Sequence, residues 1–185
     1  VISFAGRFNP EKRGEVILRA LALVRNKIPD VVLALAGAGI EEAHWRELIN
    51  DLGLGSNVVF TGVLSKPDLA KLFQASDLFV IASPAETQSM VTLQAMACGL
   101  PVVGVNARAL PDYVADGETG YLVDVDDHVA MAERLIELLE NPDLRQSFGL
   151  TGRQVAEKYS AEAVGREWEE TYEKVINNYK NKFSA

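Results

Sequence analysis

The sequence predicts an α/β domain built on a doubly wound parallel sheet of about six strands, flanked by helices and followed by C-terminal helices. Three observations predict it. Short runs rich in Val, Ile, Leu and Phe alternate with longer stretches of helical period between Val1 and Asp124. The short runs carry apolar residues on both faces, as strands do when helices cover both sides of a parallel sheet. From Asp127 onward the pattern is helical throughout.

The first strand is expected in VISFAG and the first helix in EVILRALALVRNKI. VVLALAG and EEAHWRELINDLG then give a second strand and helix. NVVFTG is followed by the helical KPDLAKLFQAS, DLFVIAS by SMVTLQAMAC, and PVVGV by a short LPDYVADG before the last strand, GYLVD. Three helices complete the chain: HVAMAERLIELLENP, DLRQSFGLTGRQVAEKYS and a final one across residues 160–185. The last is amphipathic, with Val164, Trp168, Tyr172, Val175 and Ile176 near one face and a solvated charged face. No repeat or linker interrupts residues 1–185, which read as one domain.

Composition narrows the function. With 48% apolar and 24% charged residues the chain is an ordinary globular one. A net charge of -8 opposes a surface built for nucleic acid or anionic membranes. No run approaches a membrane span, and Cys98, the single cysteine, fits a reducing compartment, so a cytoplasmic location is expected. The chain starts at Val1 within an expected strand and lacks an initiator Met, which predicts a piece of a longer protein.

Parallel sheets collect ligands at the carboxyl ends of their strands. There, GRFNPEKRG after the first strand places Arg7 and Lys12, a pair suited to a diphosphate and equally consistent with two solvated cations. Glu11 stands alone among those cations, so the acidic Mg²⁺ cluster of a phosphate-receiver domain is absent from this loop. GAGIEE, after the second strand, lacks the third glycine of a dinucleotide fingerprint. Glu41 and Glu42 would repel a pyrophosphate there, so Gly37 and Gly39 read as a tight turn with close backbone approach.

The segment PAETQSMVTLQAM begins a helix near Ser89 with no acid in its first turn, leaving backbone N–H groups open to an anion. Glu86 lies just before it. A sugar joined to a phosphate satisfies both features; an ordinary cap with an exposed acid does so equally well. His44 and His128 lack metal-ligand spacing, and no hydrolase elbow or triad occurs. Cys98 reads as a small packed side chain.

Five segments together resemble the C-terminal, donor-binding half of retaining GT-B glycosyltransferases of family 4 (group 1). They are GRFNPEK at Gly6–Lys12, LALAGAG at Leu33–Gly39, VVFTGVL at Val58–Leu64, PAETQSMVTLQAMACGLPVV at Pro84–Val103 and PDYVADGETGYLV at Pro111–Val123. The resemblance covers nearly the whole chain, and the order and spacing of its parts are more specific than any one of them. It implies a Rossmann-like half of a two-domain fold, preceded by an N-terminal acceptor domain across a cleft.

The resemblance also implies roles. Arg7 and Lys12 match the basic pair that contacts the donor diphosphate and stabilises the leaving group, with no metal or other cofactor required. Val63 and Leu64 match the loop whose backbone meets the base, and Gly37 matches a turn lining the nucleotide pocket. Glu86 matches a sugar-hydroxyl ligand, making Arg7, Lys12 and Glu86 the implied catalytic set. Thr87, Gln88, Ser89 and Met90 match the loop and helix start facing sugar and phosphate. Gln94 stands where the family usually has a ribose-binding glutamate, and an amide forgoes the charge-assisted bond. Arg13 replaces a common glycine, and Arg108 with Ala109 replaces a common Gly-Gly.

The implied activity is transfer of a sugar from a UDP-, GDP- or ADP-sugar to an acceptor hydroxyl, with this domain inactive when isolated. ETQS at Glu86–Ser89 is similar to diacylglycerol glycosyltransferases, a hint of a glycerolipid acceptor and of peripheral membrane contact through the missing domain. The competing expectations are a GT-B nucleotide-sugar 2-epimerase and a non-catalytic sugar-nucleotide-binding module.

Overall fold

The computed structural model describes residues 1–183, with side chains of its final helix described through Tyr179. Six strands form where the apolar runs predict them: β1 (Ile2–Ala5), β2 (Leu33–Ala36), β3 (Val58–Gly62), β4 (Leu78–Ile81), β5 (Val102–Val105) and β6 (Gly120–Val123). The intervening and following helices are α1 (Gly14–Lys27), α2 (Glu42–Asp51), α3 (Lys66–Gln74), α4 (Met90–Ala97), α5 (Leu110–Tyr113), α6 (His128–Glu140), α7 (Pro142–Lys158) and α8 (Ala161–Phe183).

All strand pairs are parallel, in the order β3-β2-β1-β4-β5-β6. Strands β1, β2, β4 and β5 are buried at every residue, which fits helices on both faces of the sheet. Helix α1 packs on α6 and α2, and α4 packs on α3 and α7. Edge strand β3 departs from the expectation of two apolar faces: it is only partly covered, and Val59 is half exposed.

Helix starts follow local chemistry. Ser65 accepts the Asp68 N–H at the head of α3, and Asp127 accepts those of Val129 and Ala130 at the head of α6, satisfying donors that a helix leaves unpaired. Helix α8 spans Ala161–Phe183, and residues 184–185 of the expected C-terminal helix lie outside the described residues. Its apolar stripe faces water: Trp168, Tyr172, Val175 and Ile176 are all at least half exposed. Among the described residues no helix is long and apolar enough to cross a membrane.

Candidate functional site

The strand order reverses direction between β1 and β4, where connections leave toward opposite edges and the loops diverge into a crevice. The β1–β4 ladder pairs only Ile2 with Leu78 and Ser3 with Phe79. The carboxyl ends of the two strands are therefore outside the ladder. Arg7 and Lys12 follow β1, and Glu86 follows β4, so residues far apart in sequence meet at one point.

A cavity of about 460 Å³ opens here, within the range of small-molecule sites. Arg7, Lys12, Gly37, Val63, Leu64, Met90 and Gln94 all line it, together with Leu69, Val91 and backbone at the ends of β1 and β2. The wall is mainly apolar and backbone, with Arg7, Lys12 and Gln94 as its polar side chains. The sequence reading missed Leu69 and Val91; the helical period of α3 and α4 was the signal that could have aimed them inward.

A 3-10 turn over Pro10–Lys12 carries Lys12 back to the end of β1, with the Lys12 N–H donating to Asn9 O at 2.9 Å. Its ammonium donates to Glu86 Oε1 at 2.5 Å, and the two side chains are only 17% and 9% exposed. Arg7 is exposed, and its guanidinium has no hydrogen-bond or ion-pair partner among the described residues. Nearby, Glu11 is held below its usual carboxylate range, first by its own backbone N–H, then by Asn9 and by the positive charges of Lys12 and Arg7.

Gly37 and Gly39 make the close approach that their positions predict. A Cβ on Gly37, at φ +143°, would sit 1.9 Å from Gly6 O, and one on Gly39 would sit 2.3 Å from Phe8 O. These contacts bring the β1 and β2 ends together under the cavity floor. Glu41 and Glu42 head α2, as expected, and Glu42 pairs with Arg46 at 2.7 Å.

At the start of α4 the Met90 and Val91 N–H groups have no acceptor among the described residues. Ser89 turns the chain into the helix at φ 37° and ψ 55°, a region unfavourable for a residue with a side chain. Its Oγ lies 2.7 Å from Thr92 Oγ1, both buried, and does not cap the helix. Met90 and Val91 thus present unpaired donors at the positive end of a helix, on the cavity wall.

The remaining loop residues are not brought to the wall. Glu86 is buried behind Lys12, Ser89 is buried beneath the helix start, and Thr87 and Gln88 are exposed to solvent. Arg13 turns aside: its guanidinium lies 3.5 Å from Asp126 and 3.6 Å from Glu15. Arg108 adopts φ 48° in an exposed turn, and the next N–H, of Ala109, donates to Glu86 O at 3.2 Å. Cys98 is half-buried, and burial pushes its thiol up, away from the reactive thiolate.

A family model described as Glycosyl transferases group 1 matches residues 1–155. The chain belongs to that family. Similar relatives include N-acetyl-alpha-D-glucosaminyl L-malate synthase of Bacillus anthracis, 30% identical across 98% of this chain and 47% of that protein. D-inositol 3-phosphate glycosyltransferase of Corynebacterium diphtheriae is 33% identical across 93% of this chain and 42% of its own length. Among solved structures, Anabaena Alr3699/HepE in complex with UDP and glucose superposes with a TM-score of 0.84 at 26% identity, over 94% of this chain and 48% of that one. This group 1 chain therefore spans under half the length of the curated relatives it matches, and its sheet corresponds to one half of a GT-B fold.

Proposed function

We propose that this chain is the donor-binding domain of a retaining glycosyltransferase that takes a UDP-sugar and transfers the sugar to an acceptor hydroxyl. The observation that carries the reading is the convergence of Arg7, Lys12 and the two free α4 amides on one cavity at the β1–β4 reversal. That arrangement supplies two cations and a helix N-terminus to a group that gains negative charge, as a diphosphate does when its bond to the anomeric carbon breaks. UDP is favoured by the solved Anabaena neighbour that binds it.

In this reading the base lies against Val63 and Leu64, and Gln94 meets the ribose. The diphosphate lies between Arg7, Lys12 and the α4 start. Glu86 accepts hydrogen bonds from the sugar. The acceptor binds on an N-terminal domain across the cleft, and the departing diphosphate helps remove the acceptor proton on the same face, which retains configuration. ETQS at Glu86–Ser89 is the feature that favours a glycerolipid acceptor at a cytoplasmic membrane surface. With half the cleft elsewhere, the 185-residue chain is expected to bind donor without turning it over.

Titration calorimetry with UDP tests the reading. The Arg7→Ala/Lys12→Ala variant should lose roughly a hundredfold in affinity or more, since each charge-assisted bond to phosphate contributes about 1.5–3 kcal/mol. Equal affinity in wild type and variant would refute it.

A further inference from the structure

Lys12 has a partner within the protein itself. Its ammonium sits 2.5 Å from Glu86 Oε1, and both side chains are largely withdrawn from water. Arg7, the other cation of the cavity, carries no such partner. Of the two positive charges at this site, one is thus already neutralised by an anion of the protein itself.

The Glu86 backbone is fixed by the Ala109 N–H, which donates to its carbonyl at 3.2 Å, and the Glu86 side chain is 9% exposed. A carboxylate so placed is costly to leave without a hydrogen-bond donor. A phosphate that draws Lys12 toward the cavity weakens the bond to Glu86 and adds a second negative charge nearby. A ligand that also carries hydroxyl donors restores what Glu86 loses; a ligand that ends at the diphosphate does not.

From this ion pair we infer that Glu86 selects between donor and spent nucleotide: it opposes a sugar-free nucleoside diphosphate while accepting the sugar-bearing one, and so speeds release of the diphosphate once transfer is complete. The inference rests on the donor-site reading above and deepens it. Glu86 here is a specificity-determining residue that acts through Lys12 on the empty nucleotide and through the sugar hydroxyls on the donor.

The test measures UDP, UDP-glucose and UDP-N-acetylglucosamine binding calorimetrically on the 185-residue chain and on Glu86→Gln. The glutamine keeps the shape, retains an acceptor for Lys12 and removes the charge. UDP should bind Glu86→Gln about tenfold more tightly than wild type, the scale of one charge-assisted hydrogen bond, while the better sugar nucleotide gains nothing or weakens. Glu86→Asp, which keeps the charge and withdraws it by one methylene, should give a smaller gain for UDP and stands in should Glu86→Gln not fold. An unchanged or weakened UDP affinity in the folded variant, or the same factor for UDP and both sugar nucleotides, overturns the inference while leaving the donor site standing. Absence of binding by all three ligands to wild type overturns the donor-site reading and this inference together.

Discussion

Replacing Gly37 by Ala should damage stability and ligand binding together, because the glycine sits where two strand ends nearly touch. The new Cβ would lie 1.9 Å from Gly6 O, whereas ordinary contact begins at 3.4 Å. Closing that deficit means moving the β1 and β2 ends apart. Two hydrogen bonds span the two ends and oppose the movement, Gly6 N–H to Ala36 O at 3.0 Å and Phe8 N–H to Ala38 O at 2.9 Å, while Gly37 N–H to Gly62 O at 2.8 Å ties β2 to β3 on its other side. Losing the first two costs about 2 kcal/mol, at about 1 kcal/mol for each backbone bond. The φ of +143° adds roughly 1 kcal/mol for a residue with a side chain. Gly37→Ala should therefore lose about 3 kcal/mol in urea unfolding at 25 °C, a large share of the 5–15 kcal/mol typical of a domain. It should also weaken UDP binding, because Gly6 and Gly37 both line the cavity. A loss below about 0.5 kcal/mol, the range of an ordinary surface substitution, would refute the close-approach argument.

Two further glycines make an internal contrast: Gly149→Ala on α7 drives a Cβ to 2.0 Å from Gly99 O and should destabilise by about 1–3 kcal/mol, whereas Gly165→Ala on α8 meets open space and should raise helicity, by up to about 1 kcal/mol. Circular dichroism melting of both variants checks the pair of signs. Glu137 is held below its ordinary value of 4.5, first by the Tyr121 hydroxyl at 2.8 Å and then by Arg134. A lowered folded pKa stabilises above the unfolded value and fades as pH falls through the folded one. Glu137→Gln should thus cost about 0.5 kcal/mol at pH 7, discounted because both ion-pair partners are over a third exposed, with the difference from wild type shrinking below pH 4.5 in acid unfolding. Trp168→Ala on the exposed stripe of α8 should change unfolding free energy by less than about 0.5 kcal/mol. Phe79→Ala in the core should cost about 3–5 kcal/mol in the same denaturant titration.

Much of this architecture could be read from one sequence because parallel sheets announce themselves locally. VISFAG, VVLALAG and DLFVIAS are apolar on both faces, and only a strand covered on two sides needs that. The strand order was out of reach of periodicity, and with it the meeting of Lys12 and Glu86 across the β1–β4 reversal. The visible signal was two opposite charges, each just past a strand. Arg13 illustrates a second limit: its partner Asp126 is brought near by the fold, and neighbouring sequence gives no sign of it. Ser89 illustrates a third, since a left-handed turn is expected of glycine and here falls on a serine whose hydroxyl is engaged by Thr92. The stripe on α8 was legible as amphipathic, but the pattern of a helix does not reveal whether a partner covers it.

The proposed diphosphate site lies between Arg7, Lys12 and the α4 amides. It is tested most directly by titrating UDP into the ¹⁵N-labelled chain and following its amide resonances. Saturable shifts centred on Gly6, Arg7, Met90 and Val91 are expected, and their loss in Arg7→Ala/Lys12→Ala. Shifts centred instead on the head of α2 at Glu41 and Glu42, or none at all, would contradict it.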